Sequence, residues 1–184
     1  VIKANAHILI GRQETKQLID HLNATAPILV EEVTPNPLSV GDIQKVLAKL
    51  LREKISIRNL PVIFETLADF GKMSTDTDLL TEYVRQNLAR QITQQYLTNE
   101  GALKVITVSG KVEKLIADHV QQTEHGNFLS IDPNDSQEIL TSLASKLEEM
   151  AMMDQAPVVL CSPAVRMYVR QLTERYFPHV PILS

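Results

Sequence analysis

The sequence predicts an α+β chain, a helical N-terminal subdomain followed by a small α/β subdomain with a mixed, partly parallel sheet. Three observations carry that expectation. Apolar stripes at helical spacing follow one another between Ile43 and Tyr96. The period changes after Thr98-Asn99-Glu100-Gly101. Beyond that point short β-branched runs alternate with helical patterns, which is how strands and helices layer in α/β folds.

Taken in order, residues Val1 to Ile10 extend a helix begun upstream, and Gly11 kinks it before a helix over Arg12 to Asn23 turns Leu18, Ile19 and Leu22 inward. Ala24 to Leu38 is a connector punctuated by Pro27, Pro35 and Pro37, with one short helical turn over Ile28 to Val33. Ser39 and Asp42 have the spacing of a capping box, and Ile43, Val46, Leu47, Leu50 and Leu51 repeat one face down to Arg52. In the next helix Leu60, Ile63, Phe64, Leu67 and Phe70 share a face. Asn59 is placed as its N-cap, Pro61 sits in the first turn where no amide is missed, and Gly71 is placed as a left-handed stop. Thr75-Asp76 opens a longer helix with the stripe Leu80, Val84, Leu88, Ile92 and Tyr96.

The second half predicts a strand over Leu103 to Val108, a helix over Gly110 to Val120 and a strand over Phe128 to Ile131. Asp132-Pro133-Asn134-Asp135 then turns into a helix burying Ile139, Leu140, Leu143, Leu147 and Met150. Pro157 to Cys161 is a strand, and Ser162-Pro163 starts a helix that buries Val165, Tyr168, Val169, Leu172 and Tyr176. Val180 to Leu183 is a last strand, placed by Pro181 at an edge or near its own start. The expected domain division is residues 1–22 as the tail of a preceding subdomain with a linking helix, 23–98 as the helical subdomain and 99–184 as the α/β subdomain.

Composition bounds the function. A hydrophobic share of 44% with 22% charged residues is ordinary for a folded protein, and the formal net charge of -4 gives no electrostatic reason for a nucleic-acid surface. No apolar run approaches the ~20 residues of a spanning helix. Cys161, the single cysteine, excludes an intramolecular disulfide and reads as a packed strand end. No phosphate-cradling glycine loop, H-E-x-x-H or C-x-x-C occurs, so neither cofactor nor metal is expected. His7, His21, His119, His125 and His179 lack the flanking ligands of a metal site. Asp132, Asp135 and Glu138 lack the glycine and final glutamate of a calcium loop, and Glu31-Glu32 and Glu148-Glu149 read as solvated faces.

Two other function classes are open to the residues. A helix-turn-helix over Ile43–Arg52 and Leu60–Phe70 would place Glu65, Thr66 and Asp69 outward, and phosphates repel those carboxylates. A small-molecule enzyme would use the carboxyl ends of the strands, near Ser109, Asp132 and Ser162.

The ordered set Gly11-Arg12-Gln13-Glu14, Ser56-Ile57-Arg58-Asn59-Leu60, Phe64-Glu65-Thr66-Leu67-Ala68-Asp69, Thr77 to Arg85 and Ala89-Arg90-Gln91-Ile92 resembles the cytoplasmic region of the FHIPEP family, export-gate proteins of flagellar type III secretion. Val105 to Val108, Pro157 to Leu160, Ser162 to Arg166 and Pro181 to Ser184 keep the same order, so the resemblance covers essentially the whole chain. The Glu-Thr-Leu-Ala-Asp and Leu-Thr-Glu-Tyr-Val-Arg runs look more like the flagellar than the injectisome branch.

That resemblance implies no catalysis. It implies a parent with a membrane domain and four cytoplasmic subdomains in a nonameric ring at the cytoplasmic face of the bacterial membrane. This chain would be a piece of it, comprising the third subdomain and a fourth that lacks a final strand. Implied partners are flagellar export chaperones with their substrates, the stalk component of the export ATPase complex and other export-gate proteins. The main chaperone site is expected upstream of Val1. Within this chain Arg58 and Asn59 are the expected subunit contact, Arg58 because a guanidinium is a forked donor for a neighbour's carboxylate, its alternative being a pair within its own subunit.

Overall fold

The computed structural model describes residues 10–184. The helix expected over Val1 to Ile10 and His7 therefore lie outside the described residues, Ile10 excepted. The chain divides into two compact units, Val1–Gln94 and Gln95–Ser184.

The first unit is helical. Its described elements are α1 (Arg12–Thr25), α2 (Pro27–Val33), α3 (Val40–Arg52), α4 (Leu60–Phe70), α5 (Thr77–Asn87) and α6 (Ala89–Gln94). Three of these starts are fixed by side-chain hydrogen bonds. Glu14 Oε2 accepts from the Gly11 amide at 3.0 Å at the head of α1. The capping box of α3 is reciprocal, with Asp42 N donating to Ser39 Oγ at 3.1 Å and Ser39 N to Asp42 Oδ2 at 3.0 Å. Asp76 Oδ1 accepts from Asp78 N at 2.9 Å to open α5.

The expected stripes form one core. Ile43, Val46, Leu47 and Leu50 of α3, Ile63, Phe64 and Leu67 of α4, and Leu80 and Val84 of α5 are all buried. Side chains of this size contribute about 1.5–3 kcal/mol each when removed from water. Where the Leu60 and Leu80 stripes meet, Phe70 stacks on Tyr83 with centroids 4.1 Å apart. α1 packs on α2 and α3, and α2 packs on α4. Inside the connector α2 runs for two turns rather than the one expected, because Val30 and Val33 are apolar enough to seat it in the core.

Four local expectations are corrected. Asn59 occupies the N-cap position of α4 but its side chain makes no cap bond. Gly71 is right-handed, at φ -62 and ψ -26; an added Cβ would lie 2.5 Å from the Leu67 carbonyl oxygen, so the residue is small because the backbone passes close. Thr66 is buried rather than outward, donating to Val62 O at 2.9 Å and accepting from Asn87 Nδ2 at 2.7 Å. The long helix from Thr77 is interrupted at Leu88, and Tyr96 falls beyond α6 and is only half-buried.

The second unit comprises β1 (Val105–Thr107), α7 (Gly110–Asp118), β2 (Val120–Thr123), β3 (Gly126–Leu129), α8 (Pro133–Met152), β4 (Val158–Leu160), α9 (Arg166–Thr173) and β5 (Ile182–Leu183). The sheet order is β1-β4-β5 with both pairings parallel, Ile106 beside Val159 and Val159 beside Ile182. β2 and β3 form a separate antiparallel hairpin closed at Thr123 and Gly126, the latter at φ 120. Val120 is therefore in a strand, not at the end of α7: the turn around His119 reverses the chain, and Val120 pairs with Leu129.

Ile116, Leu143, Val159, Cys161, Val165, Tyr168, Val169 and Ile182 make the core of this unit. α9 starts at Arg166 instead of Pro163, with Val165 as a cap that offers no side-chain acceptor, and ends at Thr173. Tyr176 lies past that end, off the stripe, and is exposed with Arg175 over its ring. Of the apolar stripe expected for α8 only Leu140 and Leu143 are buried. The helix stands away from β1, and the space left there is a cleft.

Candidate interaction sites

Arg58 and Asn59 sit in the segment between α3 and α4 and are both exposed. The Arg58 amide donates to Ser56 Oγ at 3.3 Å, which fixes the backbone at the turn. Among the described residues the Arg58 guanidinium makes no ion pair. Ile55 anchors the segment from below, fully buried, and its amide donates to Leu50 O at 2.9 Å. Gln91 Nε2 reaches Ser56 O at 3.4 Å from α6. A forked cation is thus presented outward on a segment held at both sides.

Ser109 and Asp132 cap helices, and Ser162 is tied by its amide to a side chain of α7. Ser109 Oγ accepts from Val112 N at 3.2 Å to cap α7, and Asp132 Oδ1 accepts from Asn134 N at 2.7 Å to cap α8. The Ser162 amide donates to Glu113 Oε1 at 2.9 Å. Of the three only Ser109 borders the cleft, and its hydroxyl is taken up by the α7 cap.

Cys161 is buried, its thiol 3.7 Å from the Leu183 carbonyl oxygen. His119 bonds Leu115 O through Nδ1 at 2.7 Å. Among the described residues no three His, Cys, Asp or Glu side chains are grouped to hold a metal ion, and no helix is long and apolar enough to cross a membrane. On α4 the exposed face carries Glu65 and Asp69, the wrong sign for a groove of phosphates.

The cleft, which sequence reasoning missed, has a volume of ≈ 570 Å³ and runs between β1, α7, α8 and α9. Ile106, Val112, Ile139, Met150 and Leu172 give it an apolar wall. Lys146 and Glu149 lie on it as an ion pair at 3.5 Å. Ile139 and Met150, on the apolar stripe of α8, border it and are half-buried.

Comparison with known proteins is consistent from end to end. The flagellar biosynthesis protein FlhA of Bacillus subtilis is 66% identical over 183 residues, which is 100% of this chain and 27% of that protein. The fold matches the crystal structure of the C-terminal domain of InvA with a TM-score of 0.89 at 34% identity, covering all of this chain and 55% of that one. It matches nonameric EPEC SctV-C by cryo-EM at 0.87 and 33%, again over all of this chain and 55% of the other. The Chlamydia pneumoniae CdsV chain in its complex with CdsO matches at 0.86 and 30%, over 100% of this chain and 54% of that one. The description FHIPEP family applies to residues 1–184, and with that full-length match the chain belongs to the FHIPEP family.

Proposed function

We propose that this chain serves as a ring-forming and docking part of a flagellar protein export gate, at the cytoplasmic face of the bacterial membrane. The observation that carries the reading is the 66% identity to a flagellar relative over the full chain. In this reading the helical unit is the third cytoplasmic subdomain of the parent and makes ring contacts. The α/β unit is the fourth and receives partners: export chaperones with their substrates, the stalk component of the export ATPase complex and other export-gate proteins. The nonameric assembly of one relative and the CdsV–CdsO complex of another support the two roles.

Arg58, with Asn59 beside it, carries the subunit contact. Its exposure on a braced segment supports this, since an interfacial guanidinium loses less entropy when its backbone is already fixed. The test is Arg58→Glu in the complete cytoplasmic region of the parent, followed by sedimentation velocity. Charge reversal against a neighbour's carboxylate lowers ring assembly by at least about tenfold. Unchanged assembly by a folded variant rejects the assignment.

A further inference from the structure

The helical unit carries opposite charges on two flanks at one of its ends. Gln44 Nε2 of α3 donates to Ile10 O at 3.3 Å, so α1 and α3, which pack together and are 14 and 13 residues long, start at one end and run to the other. From that second end α2 and α4 set out side by side. They return to the first end together, where a Cβ on Gly71 would meet Pro37 Cγ at 3.2 Å. The starts of α2 and α4 thus share one end. α4 is flanked there by α2 on one side and by α5 on the other.

On the α5 side this end is basic. Lys54 and Arg58 are exposed, and so is Arg90, which is brought near them because its neighbour Gln91 donates to Ser56 O at 3.4 Å. Glu53, the acid of the segment, is turned inward with Oε2 3.5 Å from Arg85 Nη1 and its side chain 13% exposed. Among the described residues none of the three cations makes an ion pair. Ile57 is half-buried among them.

On the α2 side it is acidic. Glu31 and Glu32 are exposed and make no ion pair among the described residues, and the chain has no lysine or arginine from Gln17 to Gln44. Ile28 precedes them by three and four residues and so shares their helix face. It is 73% exposed, while Val30 and Val33 of the same helix are buried. A stiff β-branched side chain beside charged groups has the make-up of an interface, an apolar anchor within a polar rim.

We propose that in the ring Arg58 of one subunit meets Glu31 and Glu32 of the next, with Ile28 seated against Ile57 and Arg90 on the rim. This rests on the reading of Arg58 as a subunit contact and adds the partner for it, a second copy of this chain. A closed ring is built head to tail, so each subunit presents two different patches instead of one patch that matches itself. The two patches here are opposite in sign, at one end of the unit and on opposite flanks of α4. Glu65 and Asp69 are exposed too, but on the helix that Arg58 precedes. Pairing them with Arg58 would put both halves of the contact on one face, which makes a twofold pair and not a ring.

The test is charge exchange in the complete cytoplasmic region of the parent, read by sedimentation velocity. Glu31→Lys with Glu32→Lys is expected to lower ring assembly by at least about tenfold, and Ile28→Ser by at least about threefold. Adding Arg58→Glu to the two lysine substitutions is expected to restore assembly to within about threefold of the parent, a recovery that misfolded variants would not show. Glu65→Lys with Asp69→Lys is expected to leave assembly unchanged. No recovery in the combined variant, or an equal loss on reversing the α4 acids, overturns the proposal. Normal assembly with Glu31 and Glu32 reversed, beside loss with Arg58→Glu alone, sinks this pairing only. Normal assembly with Arg58→Glu alone sinks the contact it rests on as well.

Discussion

Arg166 donates from Nη1 to the carbonyl oxygen of Ile182 at 2.9 Å, tying the first turn of α9 to the outer side of β5. Both residues are buried. One turn further on, Arg170 Nη1 donates to Pro178 O at 3.3 Å, so two arginines on one helix face hold the segment that returns to the sheet.

Replacing the first of them leaves a buried carbonyl without its donor. Arg166→Met is expected to destabilise the α/β unit by about 1–3 kcal/mol. Arg175→Ala, at an exposed position, is expected to stay within about 0.5 kcal/mol. Urea unfolding of both variants checks the contrast, and equal midpoints would refute the role given to Arg166.

Gly71 separates two explanations of a glycine at a helix end. A left-handed stop would accept asparagine, whereas the right-handed backbone seen here rejects any Cβ, which would meet Leu67 O at 2.5 Å and Pro37 Cγ at 3.2 Å. Gly71→Ala and Gly71→Asn are both expected to cost about 1–3 kcal/mol, as overpacking does. Thermal unfolding decides, and an asparagine variant as stable as the parent would restore the left-handed reading.

Burial outweighs distance in the ion pairs. Arg85 Nη1 lies 3.5 Å from Glu53 Oε2 with side chains 7% and 13% exposed, while Lys114 and Asp118 approach to 2.9 Å at 78% and 57%. Arg85→Ala leaves a carboxylate in a mostly buried place and is expected to cost about 3–5 kcal/mol. Lys114→Ala is expected to cost under about 1 kcal/mol. If denaturant titration ranks them the other way, the closer contact rather than the drier one governs.

Periodicity made the helical core legible because its stripes are long: Ile43 to Leu51 and Leu60 to Phe70 each repeat over more than two turns, and their inward members are buried apart from Leu51 and Phe70, which are half-buried. The capping box at Ser39 and the opening at Asp76 were equally readable, since a cap depends on neighbours within three residues. Other features depended on pairings that the local pattern does not show. Thr66 carries a polar side chain on the outward side of its stripe, yet Asn87, 21 residues away, gives it a bond inside. β2 shows no apolar alternation because three of its four residues are exposed, so only its pairing with β3 reveals it. The cleft is invisible to periodicity, which reports that a helix has an apolar face but not how closely another element approaches it.

The middle position of β4 bears on the order in which the polypeptide becomes structured. Emerging from a ribosome, the segment up to Gln94 already contains the helices that pack most extensively on one another in the first unit. β4 meets β1 across about fifty residues of intervening chain, and its other flank stays bare until Ile182 and Leu183 have been synthesised. Maturation is thus vectorial: the helical unit is synthesised before the strands that flank β4.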